Sequence, residues 1–264
     1  MGEAKKKYQR NERFLREHPR CCYCGGTVVA TTVDHVPSIQ MFTLRHRPQG
    51  LEVPACEACN GATRQHEQVA AMLGRVYPDG KTEAERNEIA RIMHAVNNNN
   101  PGLLQEMFPS RRQERKFQNQ RGSLPADAAG VLNVNGTRLN KTIQAFGAKL
   151  GLALHYVHTG RIVPVDGGVA VRWYSNHDAV TGQIPDKLFQ ILGPARTLEQ
   201  GKWNVADQFN YSFGMGEGGN SAAYFSTFRK SFAVLSWVST DIARFGDKAS
   251  DMGLHRPGLW TREL

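Results

Sequence analysis

The sequence of 264 residues has no cysteine after Cys59. A disulfide framework would distribute its bridges over the whole fold, whereas these cysteines are confined to the first quarter of the chain. We therefore expect a local metal site in a reducing environment, and a cytoplasmic protein. The five cysteines are Cys21, Cys22, Cys24, Cys56 and Cys59.

Long apolar runs are also missing. No stretch approaches the roughly 20 apolar residues that span a bilayer, which predicts a soluble protein that does not use a membrane as partner. The first 20 residues are basic, but no apolar segment follows the basic residues as it does in a secretory signal. Heptads and internal repeats are absent from the sequence as well.

Positive charge is in excess, with a formal net charge of +9. Residues 1–20 contain seven basic and three acidic residues, and residues 109–121 contain five basic and one acidic residue, so each segment carries a net charge of +4. Such clusters suit a polyanion, because each neutralised phosphate releases condensed counterions. A solvated helix face or a flexible tail is the alternative for either cluster alone.

The chain divides into four regions by composition and pattern. These are a basic helix over 1–20, a cysteine-containing module over 21–76, a helical and basic connector over 77–123, and a C-terminal region over 124–264. The C-terminal region alternates helical and strand-like patterns, which predicts an α+β fold with a mainly antiparallel sheet. We expect this region to regulate activity, to position a substrate, or to bind a partner protein or a second copy of the chain.

Several local patterns predict individual elements. The β-branched run Val28–Val33 suits a hairpin strand, and residues 131–136 read as a strand and turn. Thr82 with Glu85 three residues later forms a capping box at the start of a helix. Residues 161–175 read as a hairpin around Gly167-Gly168, and Gly214–Gly219 as a further hairpin turn rather than a phosphate loop.

Two C-x2-C pairs carry the strongest chemical signal. Cys21 and Cys24 form the first pair and Cys56 and Cys59 the second, with 31 residues between the pairs. Four thiolates at this spacing can close a tetrahedral zinc site on two turns, and Gly25-Gly26 gives the first turn its backbone freedom. A closed site of this kind is structural, so we expect zinc to join two chain segments.

The joined segments carry polar residues of another type. Asp34 and His35 follow the predicted strand, and Asn60 opens the helix after the second pair. Asp34 and Asn60 could offer oxygen atoms to a hard divalent cation such as Mg²⁺ or Mn²⁺. His35 would point to the other face of the strand and could take a proton from water. The alternative is an Asp-His pair satisfied by local hydrogen bonds.

The order of these residues resembles the HNH, or ββα-metal, endonuclease family in its zinc-stapled form. The resemblance covers roughly residues 20–68, and it implies that Asp34 and Asn60 hold the catalytic metal while His35 is the general base. It also implies cleavage of nucleic acid, DNA most of all, to a 3′-hydroxyl and a 5′-phosphate. Enzymes of this type with an additional domain suggest a role in phage defence or in a mobile element.

One departure from the family pattern keeps other functions open. The family has an Asn a few residues before the third cysteine, where this sequence has Gly50, Leu51 and Glu52. A zinc module that binds nucleic acid without cutting it, and an enzyme that cuts RNA, are the two alternatives. Arginines at five positions are the candidate phosphate contacts, with Arg64 expected on the same helical face as Asn60: Arg45, Arg47, Arg64, Arg111 and Arg112.

Overall fold

A computed structural model describes residues 2–76, 82–120, 132–196, 198–200 and 203–258 of the chain. Three predicted features lie outside the described residues. They are the turn at 77–80, the boundary between the connector and the C-terminal region at 123/124, and residue 131, where a strand was predicted to begin. What is described combines helices with a C-terminal antiparallel sheet, so the prediction of an α+β fold is confirmed.

The N-terminal part begins with a helix and continues into a small hairpin. Strands β1 and β2 pair antiparallel, with Asp34 opposite Val53 and His35 opposite Glu52. Because neighbouring residues of a strand point to opposite faces, Asp34 and His35 lie on different faces of this hairpin. The elements are α1 (Gly2–Glu17), β1 (Thr32–His35), β2 (Glu52–Ala55), α2 (Glu57–Ala62) and α3 (Arg64–Arg75).

The described part of the connector contains three helices: α4 (Glu83–Asn99), α5 (Leu103–Met107) and α6 (Arg111–Gln120). The predicted capping box at the start of α4 is confirmed, since the Thr82 hydroxyl accepts from the Glu85 amide and the Glu85 carboxylate accepts from the Thr82 amide. These two bonds satisfy amide groups that have no partner within the helix.

Helix α7 (Thr137–Thr159) is the longest described helix and packs against the C-terminal sheet. Its glycines allow this close approach. A Cβ atom at Gly147 would lie 2.6 Å from Val171 and 2.7 Å from Val234, and one at Gly151 would lie 2.7 Å from Ser236. Real Cβ atoms do not come this close to neighbours, so larger residues here would push the helix off the sheet.

The C-terminal sheet has five described strands, which lie in the order Phe209–Met215 (β6), Ser221–Phe228 (β7), Phe232–Ser239 (β8), Gly168–Ser175 (β3) and Gly253–His255 (β9), and every neighbouring pair is antiparallel. The predicted hairpin around Gly214–Gly219 joins β6 to β7. The bounds of the elements in this part of the chain are β3 (Gly168–Ser175), α8 (Asn176–Val180), α9 (Asp186–Ile191), β4 (Glu199–Gln200), β5 (Trp203–Asn204), β6 (Phe209–Met215), β7 (Ser221–Phe228), β8 (Phe232–Ser239) and β9 (Gly253–His255).

One apolar core connects the hairpin module with the sheet. It includes the buried Cys21 and Val53 of the module, Phe146 and Leu150 of α7, and Phe228 of the sheet. The cysteine region and the C-terminal region therefore share buried surface over their contact.

Three predicted strands differ from the structure. The first strand covers Thr32–His35 rather than Val28–Val33, and Val28 and Val29 are 47% and 56% exposed. Residues 132–136 form no strand. Residues 161–167 do not pair with β3, because β3 instead bonds to the distant strands β8 and β9.

The described helices include none that is both long enough and apolar enough to pass through a bilayer.

His155 of α7 is an ionisable residue whose burial is not compensated by hydrogen bonds to described residues. Its side chain is fully buried, and neither ring nitrogen has a hydrogen-bond partner among the described residues. Burial, with smaller contributions from Arg161 and His158, lowers the pKa of His155 to about 4. An unfolded histidine titrates near pH 6.5, so the folded state binds this proton less well than the unfolded state.

The stability that the buried, neutral His155 allows should accordingly be fully present above about pH 6.5 and should be lost as the pH falls from there towards 4. We expect His155→Leu to reduce this loss by about 3 kcal/mol, because a fall in pKa from 6.5 to about 4 corresponds to that free energy. Urea unfolding at pH 7 and pH 4, followed by circular dichroism, measures it. The exposed His177→Gln is the control, and an equal acid loss in His155→Leu and the unmodified protein would contradict the assignment.

Candidate metal centre and polar site

Four of the five cysteines converge on one point. The sulfur atoms of Cys21, Cys24, Cys56 and Cys59 all lie within 4.8 Å of one another, and all four residues are buried. Zinc bonded to four sulfurs at about 2.3 Å would hold them about 3.8 Å apart, so the cluster fits a tetrahedral ion. It could hold a metal ion such as zinc. Cys22 is buried but stands outside the cluster, as predicted.

Two tight turns present the sulfurs. Gly25 and Gly26 both have positive φ angles, 69° and 73°, and the Gly26 amide donates to the Cys21 carbonyl over 3.1 Å. On the other side Cys56 precedes α2, and its sulfur accepts from the Cys59 amide over 3.5 Å. Only glycine adopts positive φ without strain, so the first turn depends on this pair.

The cysteines of the cluster differ in pKa. A hydrogen bond from Cys59 lowers the pKa of Cys21 to about 5, while burial raises the pKa of Cys24. Metal ligation requires thiolates, and Cys21 loses its proton more easily than Cys24.

Asp34 lies in β1 in a buried set of hydrogen bonds. Its Oδ2 atom accepts from the Tyr23 hydroxyl over 2.8 Å and lies 2.7 Å from the Lys149 ammonium, and its Oδ1 atom accepts from the His35 amide over 2.8 Å. A carboxylate has about four lone-pair sites. The described residues use three of them, which leaves one on Oδ1 without a partner in that part of the chain.

Lys149 joins this carboxylate to a second one. Its side chain is 2% exposed, and its ammonium also bonds to Oε1 of Glu67 in α3. Burial acts to lower the pKa of Lys149, but Asp34 and Glu67 outweigh it, so the pKa is raised and the ammonium is charged. Lys149 thus ties α7 to the hairpin and to α3 at once.

Lys149 and Glu67 were not among the residues predicted for the site. One signal in the sequence points to Lys149, because it is the only Lys, Arg, Asp or Glu between Thr142 and Thr159. A charged residue within so apolar a helix needs a buried partner of opposite charge. Nothing in the sequence identifies that partner, since 115 positions separate Lys149 from Asp34.

Asn60 lies in α2 beside the face of the hairpin that carries Asp34. Its side-chain amide nitrogen donates to the Thr32 hydroxyl over 3.1 Å, and Thr32 precedes Asp34 by two residues on the same face of β1. This bond uses the amide nitrogen, and among the described residues nothing bonds to the amide oxygen, which could face a cation. Asp34 and Asn60 are therefore brought to the same side of the hairpin.

His35 faces the other side. Its Nδ1 atom lies 3.7 Å from Glu52 Oε1, and the His35 side chain is 17% exposed. Burial, followed by the charge of Arg47, lowers the pKa of His35 to about 4, against the opposing effect of Glu52. The imidazole is neutral at pH 7 and could accept a proton.

The predicted arginines are spread over three elements. Arg45 and Arg47 lie in the loop between β1 and β2, where Arg47 is half-buried near His35. Arg111 and Arg112 are exposed on α6. Arg64 is exposed at the start of α3, whereas Asn60 lies in α2. The two residues do not share a helix as predicted, because the chain breaks the helix at Thr63 (φ −96°, ψ 4°).

Comparison of the chain with protein-family models, with curated proteins and with solved structures finds no match.

The cysteine cluster predicts the effect of single substitutions on metal content. Cys56→Ser removes one of four ligands, and we expect bound zinc to fall from about one per chain to near zero, together with the melting temperature. Cys22→Ser is the matched control, since Cys22 is 1% exposed but lies outside the cluster. Elemental analysis after gel filtration measures the zinc. Loss of zinc in Cys22→Ser, or its retention in Cys56→Ser, would contradict the assignment.

The Lys149 bridge predicts a large effect on stability. Lys149→Met leaves the Asp34 and Glu67 carboxylates buried without a cation, and we expect it to lower the free energy of unfolding by about 3–5 kcal/mol. Lys149→Met combined with Glu67→Gln should recover part of that loss. The exposed Lys141→Met on the same helix should stay within about 0.5 kcal/mol of the unmodified protein. Urea unfolding measures all three variants, and a neutral Lys149→Met would exclude the charged bridge.

Proposed function

We propose that the protein is a metal-dependent HNH endonuclease that hydrolyses phosphodiester bonds of nucleic acid, DNA in preference to RNA. One observation carries this proposal. The hairpin and α2, joined by the four cysteines, bring Asp34 and Asn60 to one face with His35 next in the chain. Since no comparison matches, the family assignment rests on the order of these residues in the sequence.

The donor atoms suit the proposed metal. The free lone pair of Asp34 and the amide oxygen of Asn60 are hard oxygen ligands, which Mg²⁺ and Mn²⁺ prefer, and water would complete the coordination. Such an ion supplies positive charge for the scissile phosphate and the leaving oxygen. Tyr23 and Lys149 hold the other oxygen of Asp34 and so fix the orientation of its carboxylate.

His35 is the proposed general base. Its neutral imidazole accepts a proton from the attacking water, and the nearby Glu52 carboxylate stabilises the charge that this step creates. The exposed Arg45, Arg64, Arg111 and Arg112 and the net charge of +9 support binding to a phosphate backbone. A role in phage defence or in a mobile element, with the C-terminal region as regulator or partner-binding surface, belongs to this proposal.

A second function is favoured by Lys149. The ammonium already neutralises Asp34, and a divalent cation beside it would meet a like charge at close range. A zinc-stabilised module that binds nucleic acid without cutting it needs no metal at Asp34. In that case Asp34, Lys149 and Glu67 serve only to join the hairpin, α7 and α3.

Plasmid nicking separates the two functions. With Mg²⁺ or Mn²⁺ we expect the full chain to relax supercoiled DNA and His35→Ala to do so about 10²–10⁴ times more slowly, the usual contribution of a general base. Zinc content and circular dichroism verify that the variant is folded. The exposed His177→Ala is the matched control and should cut at the unmodified rate.

If the protein shifts the same DNA in a gel but cuts it neither with Mg²⁺ nor with Mn²⁺, the result would select the binding module instead. Equal rates for His35→Ala and the unmodified chain would exclude His35 as the base. Digestion of DNA and RNA of the same sequence side by side assigns the substrate.

A further inference from the structure

The loop between β1 and β2 exposes an apolar side chain on a strained backbone. Leu44 is 72% exposed, and Leu44 and Arg45 have positive φ angles of 54° and 61°. Left-handed backbone is uncommon in residues other than glycine and asparagine, and each such residue costs about 1–3 kcal/mol unless the surroundings maintain it. Strain of this size at an exposed leucine calls for a structural cause and suggests a use.

The cause is a set of anchors at the base of the loop. Phe42 is fully buried, and its carbonyl accepts from the guanidinium of the buried Arg75 over 2.7 Å. The next residue, Thr43, donates its amide to Gln208 Oε1 over 2.8 Å, and its hydroxyl accepts from Arg229 over 2.6 Å. The base of the loop is thus fixed from both α3 and the C-terminal sheet.

Arg229 is itself strained, with a φ angle of 51° in the turn between β7 and β8. In the described part of the chain, the three residues other than glycine with positive φ are Leu44, Arg45 and Arg229, and the contact between Arg229 and Thr43 brings them to one junction. The loop is therefore held in shape before any partner arrives, and a preorganised tip loses little entropy on binding.

The surroundings of Leu44 indicate the chemistry of the partner. The polar Thr43 and the exposed, basic Arg45 flank it in the chain, so the tip is a single apolar side chain beside positive charge. A protein interface requires a wider apolar patch. Duplex DNA fits better, because an isolated apolar side chain can enter between base pairs while a neighbouring arginine contacts the backbone.

The loop is also adjacent to the polar site. The loop leaves β1 directly after His35 and returns as β2 at Glu52, the residue that pairs with His35. A side chain inserted by this tip would bend DNA next to the place where His35 acts.

We propose that Leu44 is a wedge that enters a base step of duplex DNA from the minor groove and unstacks it, with Arg45 on the adjacent phosphate. This rests on DNA being the ligand in the proposed function, and it holds for the nuclease and for the binding module alike.

The test uses a 24-base-pair duplex with 2-aminopurine at a central TA step, the kind of step that unstacks most easily. All proteins are full-length and carry His35→Ala, and no Mg²⁺ or Mn²⁺ is added, so that the DNA stays uncut. We expect binding to raise the 2-aminopurine fluorescence by about twofold or more, since unstacking relieves its quenching. Gel shift at several salt concentrations measures the affinity in parallel.

Leu44→Asn is the decisive variant. Asparagine accepts left-handed backbone but has no apolar side chain, so the loop keeps its shape and loses the wedge. We expect the fluorescence rise to be lost at saturating protein, with an affinity weakened by about tenfold. Leu44→Met should retain the rise, and Val180→Ala, a change at another highly exposed residue, should match the His35→Ala background.

Arg45→Gln should keep the rise at saturation, weaken binding, and lower the salt dependence by about one counterion. A gel shift without any rise in the background protein, or a full rise in Leu44→Asn, overturns the wedge while leaving the proposed function standing. Absence of any gel shift overturns both.

Discussion

A single buried ammonium group connects the parts of this molecule. Lys149 reaches from the centre of α7 to Asp34 on the hairpin and to Glu67 on α3, and its ammonium contacts both carboxylates directly, with a side chain that is 2% exposed. Charges taken out of water cost several kcal/mol each, so they must be met by partners at close range. The position of the hairpin against α7 is consequently fixed by electrostatics as well as by apolar packing. The orientation of Asp34 follows from the same contact.

Asp34 and His35 are adjacent in the sequence but have different surroundings in the fold. In the sequence the pair stands between two cysteine turns and has no visible neighbour. In the structure each member has its own environment: Asp34 is enclosed by Tyr23 and Lys149, whereas His35 faces Glu52 and has a lowered pKa. Opposite faces of one strand thus place two adjacent residues in different surroundings.

The sequence predicts what depends on short spacing. The two C-x2-C pairs, the capping box at Thr82 and the hairpin at Gly214–Gly219 are encoded within a few residues, and each is found in the structure. Strand limits were less well predicted. Val28 and Val29 have the preference for strand, but only Thr32–His35 finds a partner in β2. Likewise β3 pairs with β8, a strand about 60 residues away, instead of with its own neighbours. The partners of Lys149 and Thr43 depend on the whole fold and could not be predicted.

The shared apolar core links metal binding to folding over a distance. Cysteines, α7 and one face of the sheet contribute to the same buried cluster, so opening of the cysteine region would expose apolar side chains on that face of the sheet. A ligand that binds only the native state adds to its stability in proportion to the logarithm of the free ligand concentration. An ion held by the cysteines would therefore protect β7 and β8 from hydrogen exchange although it touches neither strand. The supply of such an ion would then influence how stably the sheet is folded.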